Sequence, residues 1–86
     1  MASYKLRMKP SAAKELEVMP NKDRKRIVAR IRQLSTNPRP PGSEKLSGEE
    51  KYRVRQGDYR VLYAVEDTAA TVTIVKIGHR REVYRK

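Results

Sequence analysis

"KYRVRQGDYRVLYAV", Lys51 to Val65, decides how the rest of the chain is read. Gly57 and Asp58 suit the centre of a two-residue type II′ hairpin turn, in which glycine takes the first central position. Gln56 then pairs with Tyr59, Arg55 with Arg60, Val54 with Val61, Arg53 with Leu62 and Tyr52 with Tyr63. Side chains alternate along a strand, so Tyr52, Val54, Tyr59, Val61, Tyr63 and Val65 share a face fit to pack under helices. Arg53, Arg55 and Arg60 share the other, uncovered face with Leu62 and Ala64. Like charges opposed across strands cost stability, and no acid on that face relieves them. An anion between them does, since guanidinium forks match phosphate oxygens. Asp58 in the turn is the competing partner. The plainer reading, arginines that keep an open sheet face soluble, explains the charge but not the clustering.

Downstream, "TVTIVKI" (71–77) is apolar enough on both faces to be a central strand, and Glu66 to Ala70 supplies the turn before it. Upstream, the prolines and glycine of "STNPRPPGSE" (35–44) exclude a helix and make a connector. Two helices precede it. Ala12, Ala13, Leu16 and Met19 recur at helical spacing from Pro10 to Met19. After the break at Pro20, Asn21 is a plausible N-cap for a helix with the apolar stripe Ile27, Val28, Ile31 and Leu34. Its other faces carry Lys22, Arg24, Lys25, Arg26, Arg30 and Arg32, a solvated or partner-facing surface rather than a catalytic one. "SYKLRM" (3–8) alternates Tyr4, Leu6 and Met8 against Lys5 and Arg7, as in a half-buried strand. The expected fold class is α+β, ordered β-α-α-β-β-β, with an antiparallel sheet packed on a two-helix hairpin. A single domain, 1–86, accounts for the chain.

The 86 residues hold 21 Lys plus Arg against 10 Asp plus Glu, a net charge of +11. Such a balance attracts phosphate polyanions and makes their binding salt-sensitive, so nucleic acid or the ribosome is the expected contact. Without cysteine, neither a disulfide framework nor a cysteine-based zinc site is available. "MASYKLRMKP" lacks the apolar core of a secretory signal, and "VLYAV" is far too short to cross a bilayer. The expectation is a soluble cytoplasmic protein that needs no membrane.

"GHRREVYRK" (78–86) adds a second basic cluster with the only histidine. If the last strand lies antiparallel beside "YRVLYAV", its Gly78 end falls near Asp58 and Arg60. His79, Arg80 and Tyr84 then reach the arginine face, adding a titratable group and a ring for base stacking.

"KLSG" (45–48), "YRVRQGDYRVLY" (52–63) and "IGHRREVYR" (77–85), in that order after two helices, resemble the RelE branch of the RelE/ParE toxin superfamily. The resemblance spans essentially the whole chain. It implies the toxin of a type II toxin-antitoxin pair, a ribosome-dependent endoribonuclease that cuts mRNA in the A site. The nucleotide's own 2′-hydroxyl attacks the adjacent phosphate, leaving a cyclic phosphate and a 5′-hydroxyl. No metal, small molecule or other cofactor takes part. The implied partners are the ribosome, mRNA and a cognate antitoxin. Because the chain stops at Lys86, soon after Tyr84, the antitoxin is expected to occlude the basic face rather than displace a further helix.

By the same resemblance Arg60 holds the scissile phosphate, Arg80 protonates or stabilises the leaving oxygen, and Tyr84 stacks on or orients the substrate. Arg53 and Arg55 stand where the family has basic residues, one of them a lysine proposed as general base. Lys45, Arg53, Arg55 and Arg81 are the candidate RNA contacts, while Gly48 shapes a turn. Arginine departs from that lysine: holding it neutral at pH 7 costs on the order of 7 kcal/mol. Arg53, Arg55 and Arg60 are therefore expected to stabilise charge on the phosphorane. His79, with a reference pKa of about 6.5, is the candidate acid or base, and Tyr84 the fallback. Two other readings stay open: a ParE-like inhibitor of DNA gyrase on the same fold, and a noncatalytic RNA- or ribosome-binding relative.

Overall fold

The computed structural model describes residues 3–46 and 51–79. Its centre is the expected hairpin. β3 (Lys51–Gln56) and β4 (Tyr59–Glu66) pair Gln56 with Tyr59, Arg55 with Arg60, Val54 with Val61, Arg53 with Leu62 and Tyr52 with Tyr63. Gly57 has φ +61°, a conformation that side-chain-bearing residues resist, and Asp58 keeps a negative φ. That combination is the type II′ turn, whose twist matches the flanking strands.

β5 (Thr71–His79) lies antiparallel to β4, but the ladder carries a bulge: Leu62 faces Lys76 while Tyr63 faces Ile74. Val75 is the extra residue. A bulge resets the alternation, so Val72 and Ile74 before it and Ile77 after it all enter the core while Lys76 stays exposed. The two-faced apolar look of "TVTIVKI" thus reflects this shift of phase within one strand.

Helices cover one face of the sheet. α1 (Pro10–Val18) starts on proline, whose missing N–H costs nothing at a first helical position. In α2 (Asn21–Leu34), Pro20 rather than Asn21 takes the N-cap position; its carbonyl accepts from the Arg24 N–H at 2.9 Å. Asn21 is the first helical residue, because proline's restricted φ already sets the entry angle. Ile27, Ile31 and Leu34 bury against the sheet with Ala12 and Met19. At the far end the Ser35 and Thr36 hydroxyls donate to the Arg32 and Gln33 carbonyls, meeting acceptors that a helix end leaves open.

The α+β class and element order hold, with two differences. The sheet is mixed and five-stranded, ordered β1-β5-β4-β3-β2. β1 (Lys5–Met8) runs parallel to β5, from Lys5 opposite Thr71 to Met8 opposite Ile74. The intervening helices carry the chain back over one face, which is the connection a parallel neighbour needs. As an edge strand β1 is mostly exposed, with Leu6 at 39%. The connector also yields β2 (Glu44–Lys45), which places Glu44 opposite Arg53 and Lys45 opposite Tyr52 on the other edge.

The connector is anchored from beneath. Tyr63, fully buried, stacks on Tyr52 at 5.7 Å and donates its hydroxyl to the Pro38 carbonyl at 2.7 Å. Arg39 covers the Tyr52 ring, donates Nε to its hydroxyl oxygen at 2.8 Å, and grips both Asp67 carboxylate oxygens at 3.2 and 2.9 Å. Tyr4 donates to the same carboxylate at 2.7 Å. The start of β1, the connector and the β4–β5 turn are tied at one point.

Candidate functional site

Arg53 and Arg55 project from β3 and Arg60 from β4 into one basin of about 410 Å³, whose remaining lining is Arg30, Gly42 and Glu44. Cross-strand pairing holds Arg55 opposite Arg60, as the turn requires. Across from Arg60 on its other side stands Gly78, which brings no side chain to the face. Arg60 is only 8% exposed and Arg55 is exposed, so the basin grades from a seated guanidinium to a free-standing one. Gly42 adopts φ +92°, which favours glycine, and a side chain started there would meet Arg30 Nη2 at 3.9 Å.

Among the described residues, four guanidiniums and one carboxylate line the basin. Glu44 accepts on a single oxygen, Oε1, from Nε of Arg53 at 3.2 Å and from Nη2 of the same side chain. That bond and the Arg53 charge, helped by Arg60 and Arg55, hold the Glu44 carboxyl below its ordinary value. Among the described residues the acid that reaches the arginines is Glu44, contrary to the expectation that the face carries none. Asp58 makes no ion pair with them among the described residues.

His79 is not on this face. It pairs with Tyr59 and meets that ring edge-on at 5.8 Å, lining a small cleft with Glu15, Val18, Met19 and Pro20 on the helix side. The Val75 bulge is the cause: it reverses the phase of β5, turning Gly78 toward the arginines and His79 away. Lys45 likewise pairs with Tyr52, so alternation directs it to the face opposite Glu44, and it does not line the basin. Arg80, Arg81, Tyr84 and Gly48 lie outside the described residues.

A helix-backed mixed sheet in this order has counterparts among known proteins. Residues 6–84 match the family model described as the ParE toxin of type II toxin-antitoxin systems, parDE. The chain is 31% identical to the toxin RelG of Mycobacterium tuberculosis, covering 96% of this chain and 98% of that one. It belongs to the RelE/ParE toxin superfamily. It is accordingly a toxin of a type II toxin-antitoxin system. Among solved structures, this RelE/ParE toxin is similar to a chain of the M. tuberculosis RelBE2 toxin-antitoxin complex, with TM-score 0.81, 29% identity, and 93% and 94% of the two chains covered. A chain of the archaeal RelE-RelB complex from Pyrococcus horikoshii gives TM-score 0.79 and 26% identity, with 91% and 96% covered.

Two charged basin residues of this RelE/ParE toxin, Arg30 and Glu44, lie outside the set that the sequence pattern assigns to the site. Arg30 belongs by charge with the solvated face of α2, yet it follows Ile27 by three residues and precedes Leu34 by four, which puts it beside the buried stripe. That spacing was a usable signal. Glu44 had none, because it was read as part of a proline-rich connector and only strand pairing brings it opposite Arg53.

Proposed function

We propose that this toxin is a ribosome-dependent endoribonuclease that cleaves mRNA in the ribosomal A site. The observation that carries the reading is the convergence of Arg53, Arg55 and Arg60, joined by Arg30, on one basin. In the proposed reaction the 2′-hydroxyl oxygen attacks the neighbouring phosphorus and the bond to the 5′-oxygen breaks. The products are a 2′,3′-cyclic phosphate and a 5′-hydroxyl. The proton lost by the 2′-hydroxyl passes to water, and the leaving oxygen gains one. Negative charge peaks on the phosphorane between these events. Arg60, held in place by burial, grips the scissile phosphate; Arg53 and Arg55 supply further donors to its equatorial oxygens. Fixed donors need no reorganisation as the charge develops, so positioning and electrostatics carry the catalysis. Arg80 is assigned to the leaving oxygen and Tyr84 to base stacking, on the resemblance of "IGHRREVYR". His79 is given no part, since it faces the helices.

A cognate antitoxin is the proposed regulatory partner. Two relatives of known structure were solved in toxin-antitoxin complexes, and a basin with four arginines suits an acidic segment. The family model's ParE description favours one second reading, a binding protein that inhibits DNA gyrase. Primer-extension mapping of a defined mRNA in a purified translation system separates the two. Codon-phased cuts that need ribosomes and vanish in Arg55→Ala/Arg60→Ala, with that variant folded by circular dichroism, are expected. Absence of cuts from folded wild type, with loss of supercoiling in a gyrase assay, overturns the ribonuclease reading.

A further inference from the structure

Glu44 lines the arginine basin to which the ribonuclease reading assigns the substrate phosphate. Its Oε1 occupies the Nε–Nη2 edge of Arg53, one of the two edges through which a guanidinium makes paired bonds to an oxyanion. Among the described residues Oε1 is also its only bonded oxygen, and the side chain is 63% exposed, so the carboxylate is tethered at the basin rather than locked into the fold. Its backbone sits in β2, a two-residue strand entered from Gly42 at φ +92°.

We infer that Glu44 is a built-in competitor for the phosphate site: a tethered carboxylate that caps Arg53 in the free toxin and is displaced when an RNA backbone enters. The inference rests on the ribonuclease reading of the basin and deepens it. The lowered proton affinity of Glu44, traced to Arg53 and then to Arg60 and Arg55, agrees with a carboxylate that senses the three hairpin arginines. A carboxylate so stabilised accepts protons poorly, so it acts through charge and occupancy rather than as a base. In the free toxin it relieves part of the repulsion between opposed arginines. On substrate entry it imposes a penalty that a lone anion meets badly. A polyanion, gripping Arg55, Arg60 and Arg30 at the same time, meets it well. Glu44 thereby discriminates for extended phosphodiester chains over free phosphate.

Binding of a 2′-O-methyl hexanucleotide, which cannot be cleaved, tests this on the full chain across a salt series, with wild type beside Glu44→Gln. The glutamine keeps the size of the side chain and removes its charge. The expected result is binding tighter by about two- to fivefold at low salt, the range for an exposed ion pair. The slope of log K against log salt also steepens by about 0.7, one further phosphate neutralised. In an Arg53→Gln background the gain from Glu44→Gln disappears. If wild type binds and Glu44→Gln binds equally or more weakly with an unchanged slope, Glu44 props Arg53 in place and the inference falls while the RNA reading stands. If neither protein binds the hexanucleotide at low salt, the inference falls, while the ribonuclease reading is decided by the ribosome-dependent cleavage assay.

Discussion

Two arginine–carboxylate pairs flank β3, and they differ in what they leave over. Arg39 and Asp67 form a matched set: two guanidinium nitrogens meet two carboxylate oxygens, Tyr4 adds a third donor, and Arg39 Nε is taken by the Tyr52 hydroxyl. Arg53 and Glu44 form an open one, with a single carboxylate oxygen engaged and three more guanidiniums around the same basin. The same pair of residue types therefore does two jobs. Where donors and acceptors balance, the pair fastens chain segments together. Where cations outnumber acids among the described residues, as around the basin, the pair sits in a field that favours an anionic ligand.

Exchanging one arginine in each region tests that contrast most severely. Arg60→Gln should lower ribosome-dependent cleavage by about 10²–10³, the usual loss when one preorganised donor to a developing oxyanion is removed. Arg39→Gln should leave cleavage within about threefold of wild type while lowering the melting temperature, since an exposed pair acts on stability modestly. Equal losses of cleavage from both, in folded proteins, would merge the two regions into one functional unit.

The fastening side has a sharper stability probe in Tyr63. Tyr63→Phe removes the hydroxyl that meets the buried Pro38 carbonyl. It should cost about 1–3 kcal/mol, because the acceptor is left without its partner. Thermal melting should register this as a drop of several degrees, with the mapped cleavage sites unmoved. A melting temperature matching wild type would mean that water replaces the hydroxyl and that the connector is held by Arg39 alone.

A pH series separates the pairs again, with a smaller effect. Arg39 first, and then Tyr4, hold the Asp67 carboxyl below its ordinary value. The folded chain therefore binds that proton more weakly than the unfolded chain. The stabilisation is whole above the ordinary aspartate range and is lost as pH falls through the lowered folded value. Melting curves from about pH 5 down to about pH 2 should fall less steeply for Asp67→Asn than for wild type. Parallel curves would show that other carboxylates govern the acid limb. Smallest of all is the change expected for His79→Ala, which should leave cleavage within about twofold because the ring packs against Tyr59 on the helix side. A tenfold loss would place histidine chemistry back at the site.

Local rules made much of this molecule legible in its sequence. Gly57-Asp58 and the alternation around it set the hairpin register, and with it the opposition of Arg55 and Arg60, because a two-residue turn leaves no freedom in pairing. Apolar spacing located both helices to within a residue or two. What escaped depends on contacts distant in the chain. Parallel pairing of β1 with β5 is decided by how the helices lie over the sheet, and Glu44 reaches Arg53 only through an edge strand of two residues.

The Val75 bulge marks the boundary between the two kinds of information. Sequence alone determined a highly basic α+β chain whose hairpin gathers three arginines on one face, since charge, turn chemistry and period-two alternation are local properties. Tertiary structure alone decided that His79 turns toward the helices and that Arg30 and Glu44 join the arginines. A single extra residue in a strand reverses the facing of everything beyond it, and it is packing of Ile74 and Ile77 into one core that places that residue at Val75.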